Sequence, residues 1–577
     1  MDILLTLGHN SSAIGIKNGE IIAAYEEERL TRKKSSSEFP LNAIKKIQTL
    51  NNEKIERLFI SHWYDDFNFY TKKHEKINKN FNYDYINNLK DIEIISLRDE
   101  FTHHDAHAYA AFSFLKNHVK NNQILNEKFN IIVTDGFGNK QEVLSIYELN
   151  NGKITMIDRF YDYDMSMGLL YQYATSFVGM KENEDEYKFL GYEPLIINIL
   201  DQNQISVVKD LSKNYVNDYM INLENKKTIP STISSEYINV EYLMEIKNNY
   251  FYKIFEDVIL KVFNVENHNE VDNNSKRIVI GHFIQNIIEM IHVELINKYN
   301  IKNALVAGGL YYNVKLNNTI LKNIDGYFCV IPVSGDQGSA LGVYEKFSGE
   351  TLKFDSLLLG KRNLTDDIIH ERVIYVDNID DLVNVVSEKL KNDEIVQVVA
   401  NDMEFGPRAL CNTSTLALAH KDNVNLINSL NGRNTVMPMA PVMTQSGLEH
   451  LFNDELYSRV IGSDEYMIIT FDYKQSIIDN EIDKYLGVMH NYPNQNLYSG
   501  RPQVIRDKNN YVYKVLKNLE EQIDYKAIIN TSYNVHGRPI VYSSKDAVDD
   551  FNVQLQKAKD LNLNADKISL VILCTRA

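Results

Sequence analysis

The residues with the most chemistry to offer lie in one short stretch, Phe101 to Phe112, which reads FTHHDAHAYAAF. His103, His104, Asp105 and His107 run straight into apolar, helix-favouring AYAAF. In a helix His103 and His107 share a face, where two imidazoles can reach one metal ion. His104 and Asp105 point elsewhere. Two histidines do not complete a metal site, so carboxylates in loops far along the chain must supply the rest.

Two further groups of residues bear on chemistry. NALVAGGLYYNVKLN is a strand, the Gly308-Gly309 turn and a helix, and CVIPVSGDQGSALG repeats the plan with Gly335 and Asp336 in its loop. Backbone amides at such turns suit phosphate or ribose, because glycine admits close approach and a helix N-terminus favours negative charge. In the last third of the chain, Arg408, Arg433 and Arg501 offer cationic forks for phosphate or carboxylate, with Ser532 and Asn534 as neutral donors nearby.

The elements that must position these groups come in a repeated pattern. ILLTLG, the loop HNSS, AIGIK, the turn Asn18-Gly19 and IIAAYEEE read as a strand, a loop and a hairpin. NIIVTDG, FGNKQ, EVLSIYEL, Asn151-Gly152 and KITMIDRF repeat them, with Thr6 and Gly8 matched by Thr134 and Gly136 at an offset of 128. Such self-similarity predicts two related α/β lobes. Residues 277–299 have the spacing of an amphipathic helix, in which His282 and His292 are core or surface residues rather than ligands. Residues 350–370 read as a linker, and Val373 starts a new α/β pattern. The expected domains are 1–355 and 370–577.

Composition excludes several classes. With 577 residues, 44% hydrophobic and 24% charged, this is an ordinary multidomain globular chain. A net charge of −17 disfavours non-specific binding to polyanions. No signal peptide and no membrane-length apolar run is read. Three scattered cysteines, Cys329, Cys411 and Cys574, lack zinc spacing and fit a reducing, cytoplasmic setting.

Taken in order, the motifs EEERLTRKK, HHDAHAYAAF, VTDGFGN, EYKFLGYE, LVAGGLYYNVKLN, PVSGDQGSALG, MEFGPRAL, PMAPV, RPQVI and NTSYN resemble the O-carbamoyltransferases of the nodulation and antibiotic-tailoring type. The resemblance implies an N-terminal domain of the actin and chaperone-ATPase (ribonuclease H-like) type, in two duplicated lobes, followed by an α/β YrdC-like domain. It implies two steps. The C-terminal domain makes carbamoyladenylate from carbamoyl phosphate and ATP, with magnesium accompanying ATP. The N-terminal domain then passes the carbamoyl group to an acceptor hydroxyl beside a divalent metal, with iron(II) expected and manganese or zinc chemically admissible.

Carried over by motif, the metal ligands are His103, His107, Asp135 and Asp336. His104 or Asp105 is the expected base. Lys188, Gly308, Gly309, Asn313 and Gly335 match nucleotide-contacting positions, and Arg408, Arg433, Arg501, Asn530, Ser532 and Asn534 the carbamoyl phosphate and ATP site. The chain departs from the YrdC-like pattern at Asn431, where a lysine is expected, at Asn434 and Met437 in place of a glutamate and an arginine, and at Arg538 in place of a glutamate. Lys421, Arg501 and Arg538 are candidates to replace the lost cation.

The expected acceptor is a small molecule, a sugar or a modified nucleoside, so nucleic acid enters only as an acceptor, and no membrane is involved. Residues 195–275 are expected to wall the acceptor, with Tyr237, Tyr242, Tyr250 and Tyr252 available to stack on a ring. The oligomeric state is open, a homodimer included. A threonylcarbamoyl transferase acting on tRNA, and a non-catalytic nucleotide switch, are the alternative readings.

Overall fold

β1 (Asp2–Thr6), β2 (Ser12–Lys17) and β3 (Glu20–Glu26) form the antiparallel meander that the opening sequence predicts. Its hairpin closes at Asn18 and Gly19, both with positive φ, 52° and 77°, the turn for which Asn-Gly is favoured. β4 (Arg57–Ile60) and β5 (Glu93–Ser96) join parallel to β1, giving the order β3-β2-β1-β4-β5. The computed structural model describes residues 1–62, 85, 89, 92–98, 100–229, 240–433, 438–493 and 497–574.

A second sheet repeats the first. β6 (Phe129–Thr134), β7 (Glu142–Asn150) and β8 (Lys153–Tyr161) form a meander closed at Asn151-Gly152, and β9 (Ala304–Ala307) and β10 (Phe328–Val330) add parallel to β6. The order β8-β7-β6-β9-β10 has the same neighbours and directions as the first sheet. This is the pair of related α/β lobes expected from the repeat, the duplicated arrangement that the resemblance implies.

Between the lobes run the helices His103–His118 and Asp336–Phe347. A Cβ on Gly342 would come 1.8 Å from the Ala106 carbonyl oxygen, so the two helices touch backbone to backbone. That contact brings the N-terminal turn carrying His103 and His107 beside Asp336.

Two expectations change here. The helix Asn273–Tyr299 is not simply amphipathic: it is buried on most sides from Lys276 to Ile288, sharing one core with Val208, Val216 and Tyr219 of the helix Gln202–Leu223. It is long and apolar enough to cross a membrane by composition, and 72% of its apolar window is buried within the protein. Its histidines are core residues, His282 on Glu193 at 3.1 Å and His292 between Ile288 O and the Tyr311 hydroxyl. Residues 350–370 are not a loose linker either, since Leu358–Gly360 pairs with Met403–Glu404 and buried Arg362 donates to the carbonyls of Ala400, Asn401 and Asn412.

The C-terminal part is built on a seven-stranded mixed sheet. In spatial order its strands are Val373–Val376, Ile568–Leu573, Ile395–Val399, Thr413–Leu418, Ala527–Ser532, Ala440–Thr444 and Gln503–Ile505. An excursion from this part docks on β10: Phe328 N–H donates to Arg459 O and Ile461 N–H to Phe328 O, both at 2.9 Å. All three cysteines are free and buried.

Candidate active site

A cavity of about 1020 Å³ opens between the two lobes and the C-terminal sheet. At one end four side chains converge. His103 Nε2 lies 3.2 Å from Asp135 Oδ2 and 3.2 Å from Asp336 Oδ1. His107 Nε2 lies 3.1 Å from His103 Nε2, and 3.7 and 3.6 Å from the same two oxygens. All four ligand atoms fall within 4.8 Å of one another. A divalent ion with bonds of about 2.1 Å sets neighbouring ligand atoms roughly 3.0–3.4 Å apart, so the group has the size of a coordination shell.

Local structure explains the placement. His103 and His107 lie in the first turns of their helix, Asp135 follows β6, and Asp336 opens the helix behind the Gly335 turn. Gly309 N–H donates to Asp135 Oδ1 at 2.9 Å, so this glycine loop aims a carboxylate. Gly308, at φ 110°, packs against β6, where a Cβ would come 2.1 Å from Thr134 O.

Burial alone would push the His103 and His107 imidazoles down, but the carboxylates of Asp336 and Asp135 outweigh it and hold both raised, His103 well above its ordinary value. Burial would likewise lift Asp135 and Asp336, and the histidines hold both below the usual carboxylate range. Without a metal, the two carboxylates therefore favour protonated imidazole in this group to higher pH than for a free histidine. A metal needs them neutral, so its affinity is expected to climb with pH, with protons released on binding. Calorimetry in two buffers of different ionisation enthalpy measures that release, and equal heats in both would contradict it.

At the other end the cavity is cationic. Arg408, Arg433, Arg501, Asn530, Ser532 and Asn534 all line it. Arg433 donates to Thr531 Oγ1, Ser532 Oγ and Asn534 Oδ1 at 2.9 to 3.1 Å. The Nε atoms of Arg408 and Arg501 are buried with no partner. Among the described residues, none of the three arginines has a carboxylate close enough to pair. Burial depresses all three guanidinium groups, and Arg501 is lowered further by its neighbours Arg408 and Arg433. Three desolvated cations without a counter-ion are the preparation for a multiply charged anion.

Several expected residues lie elsewhere. His104 has no exposure, its Nδ1 is 2.8 Å from Ser145 Oγ, and it is absent from the cavity wall. Asp105 accepts from Tyr147, Arg159 and the Thr102 amide, again off the wall. Neither is placed to take a proton from an acceptor in this cavity, because one residue along a helix rotates a side chain by about 100°. Lys188 pairs with Asp185 at 2.8 Å and Gly308 faces β6, so the wall keeps Gly309, Asn313 and Gly335 of the nucleotide set.

Asn431 does not stand in the cavity: it is 1% exposed and accepts from Gln554 Nε2 at 2.6 Å. Lys421 is exposed outside the cavity, and Arg538 on the wall is tied to Asp550 at 2.6 Å. Asn434, Met437 and Tyr237 lie outside the described residues. The 195–275 wall is also corrected. None of its described residues lines the cavity; Tyr242 binds Asp162, Tyr252 binds Ser176 and Tyr250 packs on Phe251.

Sequence reading missed His9, Asn10, Lys34, His62 and Tyr187, all on the wall. A signal existed for the first two: Gly8 matches Gly136, so the GHNSS loop is the first lobe's counterpart of the DGFGN loop. His62 stands beside His103, ring centroids 6.5 Å apart, and burial pushes its imidazole down to about 4.

Family models described as carbamoyltransferase N-terminus and carbamoyltransferase C-terminus match residues 69–344 and 387–563, in that order. An uncharacterized protein of Methanocaldococcus jannaschii, MJ1051, is 27% identical over 94% of this chain and 95% of its own. Nodulation protein NolNO of Sinorhizobium fredii is 22% identical over 96% of this chain and 78% of its own. Among solved structures, HypF of T. kodakarensis is matched at 15% identity over 60% of this chain and 47% of that one, with a TM-score of 0.29.

Proposed function

Because the chain belongs to the carbamoyltransferase family and is an enzyme of that kind, we propose that it activates carbamoyl phosphate with ATP as carbamoyladenylate and transfers the carbamoyl group to an acceptor hydroxyl. The observation that carries this reading is the shared cavity, lined both by three arginines that have no carboxylate partner among the described residues and by the His–Asp group. In the first step Arg408, Arg433 and Arg501 hold the phosphates of both substrates, and Ser532 and Asn534 fix the Arg433 fork. Inorganic phosphate leaves from carbamoyl phosphate and pyrophosphate from ATP, and the arginines' charge neutralises what builds up on both.

In the second step the adenylate's phosphate lies toward Asn313 and the Gly309 and Gly335 turns. Held by His103, His107, Asp135 and Asp336, a divalent ion would supply Lewis-acid polarisation beside the acyl group. Outside the His–Asp group, His9, His62 and His536, rather than His104, are the imidazoles that line this cavity. The acceptor hydroxyl attacks the carbamoyl carbon, the proton leaves to solvent or a base, and AMP departs.

The test is isotope exchange between pyrophosphate and ATP. Exchange is expected with carbamoyl phosphate and not with threonine plus bicarbonate. Exchange that requires threonine would replace this reading by a threonylcarbamoyl transferase. With the first step established, a source extract incubated with enzyme, ATP and carbamoyl phosphate should contain a species heavier by one carbamoyl group.

A further inference from the structure

A glutamate with no solvent exposure, Glu142, lies beneath the start of the helix that carries His103 and His107. Its Oε1 accepts from the His104 amide at 3.0 Å and its Oε2 from the Thr102 hydroxyl at 2.9 Å. The backbone is bent to put it there. Lys140 and Gln141, just before it, both have positive φ, 54° and 63°, a region L-residues occupy at a cost. Gly138 is held to glycine by the same arrangement, because a Cβ there would come 2.4 Å from the Glu142 side chain. The β7–β8 register also slips between Glu142 and Leu144.

Arg159 of β8 answers this carboxylate from below. Its Nε lies 3.2 Å from Glu142 Oε2, and its Nη2 donates to Asp105 Oδ1 at 2.6 Å and to the Tyr147 hydroxyl at 2.7 Å. Asp105 in turn accepts from the Thr102 amide at 2.8 Å, and Asn139 Oδ1 accepts from the His103 amide at 2.8 Å. Three consecutive amides at the helix start are thus each held by a different side chain. Capping alone needs no buried arginine; a bracket that fixes the rotation of the first turn does.

We propose that Glu142, clamped by Arg159, is a positioning residue that sets the direction of His103 and His107 toward a shared metal ion. This rests on reading those two histidines with Asp135 and Asp336 as a metal site. Partners behind metal ligands typically matter ten- to a hundredfold in affinity.

The test titrates the metal-free full chain with cobalt(II), following the d–d absorption that reports coordination geometry. Arg159→Lys and Glu142→Gln are expected to bind cobalt(II) about 10–100-fold more weakly, with an altered band at saturation. Asn139→Ala, which removes one cap without stranding a buried charge, should shift the same way by less. Folded variants whose titration and band match the unmodified chain overturn the proposal. If the two charge variants do not fold, Asn139→Ala decides alone, and a wild-type titration there overturns it. An unmodified chain that gives no cobalt(II) band overturns the metal reading instead.

Discussion

Replacing His103 with alanine is expected to lower carbamoyl transfer by roughly 10³-fold while carbamoyladenylate formation proceeds at its normal rate. His103 Nε2 is the atom closest to all three other members of the group, at 3.1 to 3.2 Å. Its loss leaves at most three ligands and two adjacent carboxylates with one imidazole to share. The factor corresponds to about 4 kcal/mol of transition-state stabilisation, the several kcal/mol a Lewis acid contributes. The arginines are not among the four converging side chains, so pyrophosphate exchange should persist. Measuring exchange and transfer on one preparation separates the steps, and loss of both would mean that the two ends of the cavity do not divide the labour.

Arg501→Met is expected to do the reverse and to stabilise the unliganded protein. Arg501 is desolvated, repelled by Arg408 and Arg433, and its Nε has no partner. Trading such a charge for an apolar side chain of similar reach is often favourable, by about 1–4 kcal/mol, and activity pays for it. A charge-assisted hydrogen bond contributes about 1.5–3 kcal/mol, so pyrophosphate affinity should fall about 10–150-fold, with adenylate formation falling in step. Pyrophosphate at about 100 times its dissociation constant should stabilise the unmodified chain by about 2.7 kcal/mol. The same concentration should shift the variant's unfolding midpoint far less. A variant with a lower unliganded midpoint and an undiminished pyrophosphate shift would show that Arg501 is structural.

How much of this was readable beforehand depends on whether a feature is local. Asn-Gly turns fix hairpins within four residues, so the repeated meanders at β1–β3 and β6–β8 stood out. The i, i+4 spacing of His103 and His107 is equally local. The neighbouring His104 and Asp105 misled, because adjacency in sequence on a helix means divergence in space. Asn431 misled for a related reason: it ends the helix Lys421–Asn431 facing Gln554, and the cavity wall resumes only at Arg433. His62 and Lys34 carry no signal of their own, since each reaches the cavity only through the packing of the first lobe against the rest. Residues 350–370 looked like a tether because polar and apolar residues alternate without a clear period. Their order comes from Arg362, whose partners are carbonyls 38 to 180 residues away.

The seam at β10 bears on how this protein could be divided. Arg459 does more than lend its carbonyl to Phe328: its guanidinium donates to Ile324 O at 2.6 Å and Leu321 O at 3.1 Å, closing the end of the helix Val314–Lys322. The last strand of the second lobe is thus finished by residues more than a hundred positions downstream. A fragment ending near residue 370 would carry a bare, apolar strand edge and lose the Arg459 guanidinium from the end of that helix, an invitation to intermolecular pairing. A chain cut at this junction is therefore expected to aggregate unless the separated halves reassemble.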